Sequence, residues 1–569
     1  EENVEQTELY YYTEDTGELK HIPAEKWKDQ TLSDLHWCGE GHDKIRFIRR
    51  DRLQRNEELC EYDPATDKVT VLITESVENA YIERQPTRYV GEHNTGDIVW
   101  WSERTGWGHY YLYSHDGVLK NALTSGPWRA ENVNAIDAKK KKLYFSAVGR
   151  EPGENLYNTH DYSVGLDGKG IKLLDSEDAD HSWQMPKSND YAVDAYSRVD
   201  LVPKTVLRDE SGKVVMDLET MDLSELEATG WRMPERFVVK SADGVTDIFG
   251  NMWKPFDFDP HKKYPIILNV YPGPQTEAVS QTFTPTSSLQ ELAQLGFIVI
   301  QIGNRGGTPQ RSNAYHSYGY YNLRDYGLAD KKAGVEQLAL EHPWIDIDRV
   351  GIFGHSGGGF MTAAAMLLPP YSEFFKVGVS SSGNHDNNIY NQNWSEQHHG
   401  LKVVTDDSGQ QGGGRAGGRR GGRGGGGGDD EYLLPDPDNP FASFDAFLQQ
   451  KQQNQEEQQG QKDEKDQKKE KFEIHVPTTV ELAANLKGKL LLTTGDIDNN
   501  VHPGNTIRLV NALINANKRF DFMIMPGQRH GYGPMSGYFN NMLKEYFCTH
   551  LLGDDYSGSS DEKDKGEGR

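Results

Sequence analysis

The chain has 569 residues and a formal net charge of −26, from 87 acidic against 61 basic residues. That balance excludes a general nucleic-acid footprint, which needs a basic face. Three distant cysteines, Cys38, Cys60 and Cys548, exclude a disulfide framework or a thiol zinc cluster.

Hydrophobic residues make up 35% and aromatics 10%, while 59 residues are Gly. This composition reads as large folded cores diluted by a polar, Gly-rich segment. No run of about 18 apolar residues is present, so no membrane span is expected. The chain starts at Glu1 rather than Met and shows no signal-peptide pattern, so processing or truncation at its start is expected.

The first 225 residues repeat. Leu9-Tyr10-Tyr11-Tyr12 with Asp15 and Gly17 is echoed by Leu59-Cys60-Glu61-Tyr62 with Asp67, and by Tyr110-Tyr111-Leu112-Tyr113 with Asp116-Gly117. Leu156-Tyr157 and Val206-Leu207 with Asp209 and Gly212 are weaker copies. Each copy is apolar alternation, a turn, then a second alternating stretch, the pattern of a β-hairpin. A recurrence of roughly 50 residues is that of propeller blades, and about five are expected over residues 1–225.

From about residue 226 the pattern changes. Short apolar runs at 266–270, 297–302, 350–353, 377–380, 490–493 and 520–525 alternate with helical patterns at 288–295, 328–341, 503–515 and 539–551. Strand–helix alternation predicts a mostly parallel α/β sheet over 226–402 and 472–553. Between them, 403–471 holds a Gly/Arg block and a Gln/Lys/Glu/Asp block, expected to form a disordered insert because neither can bury enough apolar surface. A short stretch between the blocks, 432–447, carries apolar anchors that could dock locally. The acidic tail 554–569 is expected to be disordered too. Gly/Arg repeats can bind RNA, but the acidic surroundings favour a solvated linker.

Chemistry is carried by Gly354-His355-Ser356-Gly357-Gly358. The segment fits G-x-S-x-G between a strand and a helix, the context of a nucleophile elbow. Ser356 is thus the candidate nucleophile, and His355 is expected to point away from it across the sharp turn. In this fold the acid and then the His follow the Ser in chain order. The loop after the strand at 490–493 offers Asp496 and Asp498, both at suitable spacing. The loop after the last strand offers His530 as general base; His502 is a rival on the acid's own loop. The backbone N–H of Gly357 should donate to the oxyanion. No metal-binding, P-loop or dinucleotide fingerprint appears, so no cofactor is expected.

These motifs, with the GxxDxNVHxxxT-like segment ending near Thr506 and the blade segment Trp100-Trp101-Ser102-Glu103-Arg104-Thr105-Gly106-Trp107, resemble the prolyl oligopeptidase family of serine peptidases, most closely its dipeptidyl peptidase IV-like branch. The resemblance spans about residues 8–401 and 473–552. It implies a β-propeller followed by an α/β-hydrolase domain, a short peptide substrate and a homodimer formed through the hydrolase domain. It implies Asp498 as triad acid and Tyr271 as the second oxyanion donor. Asn304-Arg305-Gly306-Gly307 resembles the family's D-G-R-G-S-G loop, with Asn in place of Asp.

The resemblance further implies that Tyr390, Trp394 and Val501 wall the pocket for the residue before the scissile bond, with Asn500 contacting a substrate carbonyl. Aromatic walls suit a proline ring. Gly357 stands where the branch has an aromatic and Asn387 where it has a Trp; both changes open or polarise the pocket. The Glu pair that holds a free α-amine in this branch is not recognisable. Glu1-Glu2 and Glu57-Glu58 lack its context and read as solvated acids. The expectation is that the first blades are missing or that this member does not use a free amine. An acylaminoacyl peptidase or esterase is the alternative on the same scaffold. The compartment is open, with a lean from the resemblance to a bacterial periplasm or secretion.

Overall fold

The computed structural model describes residues 4–39, 41–92, 94–405 and 470–553. The Gly/Arg and Gln-rich blocks, the stretch 432–447, Glu1-Glu2 and the acidic tail lie outside the described residues.

The N-terminal part is built of consecutive antiparallel sheets. A two-stranded ribbon, Leu9–Thr13 with Glu18–Ile22, comes first. Four four-stranded sheets follow. The first runs from Thr31–Cys38 through Lys44–Arg50 and Asn56–Asp63 to Lys68–Ser76. The last runs from Asp180–Gln184 to Val214–Thr220. Each is a meander, because short turns such as Asp116-Gly117 join neighbouring strands directly. These are propeller blades; the copies at Leu59, Tyr110 and Val206 lie in their strands, whereas Leu156-Tyr157 falls in the loop before the strand Thr159–Gly165.

Glu57 and Glu58 overturn the expectation that they are solvated. Strand pairing turns them inward, where they are 1% and 3% exposed. Arg50 donates to Glu57 at 2.8 Å and Arg49 pairs with Glu58 at 2.7 Å. Adjacent Glu residues on one strand are matched by adjacent Arg residues on the next. Sequence distance hides such pairing.

The C-terminal part holds an eight-stranded sheet. Its order is Glu235–Lys240, Asp247–Trp253, Ile298–Ile302, Tyr264–Asn269, Ile345–His355, Val377–Ser381, Lys489–Gly495 and Asp521–Met525. The first two strands are antiparallel and the rest parallel. Both faces are covered, so the parallel strands read as unbroken apolar runs. Ile266 and Leu268 enter one core cluster while Ile267 enters the other. Helix Gly357–Leu367 is buried along its whole length beneath the sheet's centre.

Side chains join the blades to the hydrolase. Arg52 donates to Glu396 at 2.8 Å, with both side chains at most 5% exposed. Glu103 binds His316 at 3.0 Å, and Arg129 donates to the Pro309 carbonyl. Arg52 also holds Asp29. The segment Lys402–Glu473 forms a separate unit, whose described part is an antiparallel pair of strands, Lys402–Thr405 and Glu470–Glu473.

Removing one partner of a buried ion pair strands the other charge, at about 3–5 kcal/mol. Arg52 keeps Asp29 when Glu396 is lost, so Glu396→Ala is expected to lower unfolding stability by less than that, about 1.5–3 kcal/mol for the lost charged hydrogen bonds, in a urea titration. Arg52→Met should cost more than Glu396→Ala, because it leaves both Asp29 and Glu396 without their cation.

Candidate active site

The strand Ile345–His355 delivers its last residues to a turn, and the helix Gly357–Leu367 leaves from it. Ser356 sits at the junction with φ 59° and ψ −122°. A non-Gly residue held there costs about 1–3 kcal/mol. Packing enforces the conformation. A Cβ on Gly354 would lie 2.4 Å from the Val270 carbonyl oxygen, and one on Gly358 2.2 Å from the same atom. Only glycine allows this approach, and it lifts Ser356 above the strand ends. Its N–H donates to the Ser381 carbonyl at 2.8 Å.

Asp498 and His530 come together from consecutive loops. His530 Nδ1 lies 2.7 Å from Asp498 Oδ2. The other oxygen, Oδ1, accepts the backbone N–H of Asn500 and of Val501, each at 2.9 Å. Asp498 is 2% exposed and aimed by those two donors. His530 Nε2 is buried and has no hydrogen-bond partner. Of the two spacing-compatible acids, Asp496 is occupied elsewhere, accepting the Gly527 N–H at 2.6 Å. His502 is exposed and accepts the Gly504 N–H at 3.0 Å at the start of helix Gly504–Asn515.

The His355 ring packs on the His530 ring, centroids 4.5 Å apart. Its Nδ1 lies 2.7 Å from Ser381 Oγ, which in turn bonds the Tyr532 hydroxyl at 3.0 Å. Ser382 and Thr493 bond the same hydroxyl. Burial, and then the neighbouring His530, push the His355 imidazole down to about 4. It is therefore neutral at neutral pH and adds no charge beside His530. Sequence reasoning missed this hydroxyl network, for which the only signal is the Tyr after His530-Gly531.

Tyr271 leans over the start of the buried helix. A Cβ on Gly357 would meet the Tyr271 ring at 3.2 Å and its hydroxyl oxygen at 3.4 Å. A side chain at 357 would need the Tyr271 ring to give by a few tenths of an ångström. The hydroxyl accepts from Gln275 at 2.7 Å, and burial raises its pKa. Tyr390 donates to Asn500 at 3.2 Å and stacks edge-on to Trp394 at 5.5 Å. Val501 is buried, next to Asn500 on the Asp498 loop. Asn387 is buried, and its amide nitrogen has no partner. Asn304 is fully buried, bonding the carbonyls of Pro272 and Arg305.

A propeller preceding a hydrolase sheet with a Ser at the elbow defines the class: an α/β-hydrolase with an N-terminal β-propeller. Residues 3–203 match the dipeptidyl peptidase IV N-terminal region, and residues 283–411 and 438–552 match the prolyl oligopeptidase family. The chain belongs to the prolyl oligopeptidase family of serine peptidases, in its dipeptidyl peptidase IV-like branch.

It is similar to dipeptidyl peptidase 4 of Trichophyton rubrum, 27% identical over 66% of this chain and 48% of the relative. To dipeptidyl peptidase 8 of Mus musculus it is 26% identical over 76% of this chain and 41% of the relative. The chain thus spans about half the length of the curated relatives it matches. Among solved structures, a putative dipeptidyl aminopeptidase IV from Bacteroides ovatus superposes with TM-score 0.73 at 24% identity, over 96% of this chain and 70% of that one. Porphyromonas gingivalis dipeptidyl peptidase 4 gives 0.74 at 19% identity, over 96% and 67%. At these identities the structures speak for the fold. Among the described residues no helix is long and apolar enough to cross a membrane.

The turn strain is measurable. Ser356→Gly is expected to be more stable than Ser356→Ala by about 1–2 kcal/mol, because only Gly relaxes at this φ. Equal urea midpoints for the two variants would show that the turn stores no strain.

Proposed function

We propose that the protein is a serine peptidase acting on short peptides through an acyl-enzyme on Ser356. The reading rests above all on the His530 imidazole. It is anchored by Asp498 on one nitrogen and has no protein partner on the other, in the loop that follows the last strand. His530 Nε2 takes the Ser356 proton as Oγ attacks the scissile carbonyl. Asp498 stays ionised, fixes the tautomer and stabilises the imidazolium. The oxyanion is received by the Gly357 N–H and the Tyr271 hydroxyl. His530 then hands its proton to the leaving amine, and water deacylates the enzyme by the reverse route.

Tyr390, Trp394 and Val501 form the walls for the residue before the scissile bond, and Asn500 binds its carbonyl. The aromatic pair suits a flat ring, so dipeptides ending in Pro or Ala are the proposed products. A second reading, acylaminoacyl peptidase or esterase, is favoured by one observation. Glu57 and Glu58 are consumed by Arg50 and Arg49, so this pair is not available to hold a substrate amine. The relatives' names speak of dipeptidyl peptidases; a homodimer and an envelope location belong to the same proposal on the family resemblance alone.

The deciding experiment compares Gly-Pro-chromogen with its N-acetylated form, using Ser356→Ala as the blank. Cleavage of the free-amine substrate alone is the expected result for a dipeptidyl peptidase; cleavage of the blocked form moves the protein to the second reading. A fluorophosphonate probe should label the wild type and not Ser356→Ala. Asp498→Asn should lower kcat roughly 10⁴-fold with little change in KM. Tyr271→Phe should cost about 10²–10³ in kcat. Labelling that survives Ser356→Ala would overturn the assignment.

A further inference from the structure

One blade junction departs from its neighbour in a way that burial alone does not explain. In the blade holding His109–Tyr113, His109 Nδ1 lies 3.0 Å from Thr124 Oγ1, and the Tyr110 N–H donates to the same oxygen. The next blade repeats the arrangement with an acid. His160 Nδ1 lies 2.5 Å from Asp175 Oδ1, and the Asp161 N–H donates to Asp175 Oδ2 at 2.9 Å. The spacing is the same in both, 15 residues. At the offset where the first blade has the buried Ala130, the second has His181. The first junction is filled by Trp128, Phe145 and Tyr162, stacked on one another. The second is filled by charge. Relative to its neighbour, this blade carries an acid and a second imidazole as additions.

The additions converge. A nitrogen of His160, an Asp175 oxygen and a His181 nitrogen all lie within 4.8 Å of one another, and all three residues are buried. Asp175 Oδ1 is 3.8 Å from His181 Nε2. These separations bracket the roughly 3.3 Å edge of a tetrahedral site with ligand bonds near 2.0 Å. The far nitrogen of each imidazole meets a carboxylate. His160 Nε2 lies 2.8 Å from Glu154, and His181 Nδ1 lies 3.0 Å from Asp194, which Arg208 holds at 2.8 Å. An imidazole oriented by a carboxylate on its outer nitrogen is the usual support of a metal ligand. The Glu177 carbonyl, 3.0 Å from His181 Nε2, is a further oxygen donor.

Negative charge is in excess. Asp161 is 2% exposed, receives Asn134 on one oxygen, and has no partner on the other. A divalent cation would relieve this excess. Mixed imidazole and carboxylate donors in a closed, buried site suit a structural ion of the zinc class.

We propose that His160, Asp175 and His181 bind one structural divalent ion of the zinc class between two propeller blades. The site lies among the blade strands and serves stability rather than the hydrolytic chemistry. The competing state is proton-held: both imidazoles doubly protonated and paired with carboxylates. Burial alone would lower the His160 pKa, but Asp175 and Glu154 raise it to about 9.

The test uses the full chain, purified without a metal column. Elemental analysis is expected to find about one zinc-class ion per chain. Dialysis against a chelator should lower Tm, and zinc chloride should restore it. Cobalt added to the stripped protein should give the absorption of a tetrahedral Co(II) site. The double variant Asp175→Thr, His181→Ala copies the residues of the neighbouring blade, so it is expected to fold; it should carry no ion and show no response of Tm to chelator or zinc. Less than about a tenth of an ion per chain, with a Tm indifferent to chelator and to zinc, would overturn the proposal. The proton-held cluster would then reveal itself by pH. With the folded His160 pKa above its unfolded value near 6.5, its stabilisation is full below that value and fades as pH rises through about 9.

Discussion

The approach of two glycines to one carbonyl oxygen governs the geometry of the hydrolase centre. Gly354 and Gly358 both face the Val270 carbonyl at distances that no side chain tolerates. That contact fixes where the buried helix Gly357–Leu367 begins relative to the central strands. It forces Ser356 into its strained backbone conformation and sets Gly357 under the Tyr271 ring, because Tyr271 follows Val270 directly. The helix is buried along all of its length, so packing on every side resists relaxation of the turn. Strain at one residue persists here because its surroundings over-determine it.

The two halves of the molecule solve burial differently. The hydrolase sheet relies on aliphatic strands, whose burial stabilises by about 1.5–3 kcal/mol per large side chain. The blades instead bury arginines and carboxylates in pairs: Arg46 with Glu61, Arg49 with Glu58, Arg50 with Glu57. Such pairs add little net stability over an apolar core, but each becomes costly when one partner is removed. They act best as register pins. Neighbouring strands must align for the charges to meet, and a slip of one residue would reverse every side chain.

Much of this was legible in the sequence, and for identifiable reasons. The parallel strands were visible because burial on both faces makes unbroken apolar runs, as at Ile298–Ile302. Glycine spacing revealed the elbow, because its close contacts admit no other residue. The antiparallel strands Glu235–Lys240 and Asp247–Trp253 were not seen: one carries charge at both ends and the other holds Gly250 and Asn251 in its middle. The contact of His355 with the His530 ring was not legible, because two loops far apart in sequence bring them together. Glu57-Glu58 was misread because adjacent acids look solvated unless the facing strand is known. The charged blade junction was invisible for a related reason. Asp175-Ser176-Glu177-Asp178-Ala179-Asp180-His181 reads as a polar loop until the neighbouring blade supplies the comparison.

The small ladder of Lys402–Thr405 with Glu470–Glu473 carries a consequence for evolution of the chain. Thr405 pairs with Glu470 and Lys402 with Glu473, so the backbone re-enters beside the point where it left. Thr405 and Glu470 are thus held together by the ladder's own pairing. Closing a loop grows costlier only with the logarithm of its length, about 0.6 kcal/mol for each doubling. Sequence between the two strands can therefore lengthen, shorten or change character with little effect on the hydrolase fold. This gives the catalytic half a port at which new segments can be acquired before they are useful.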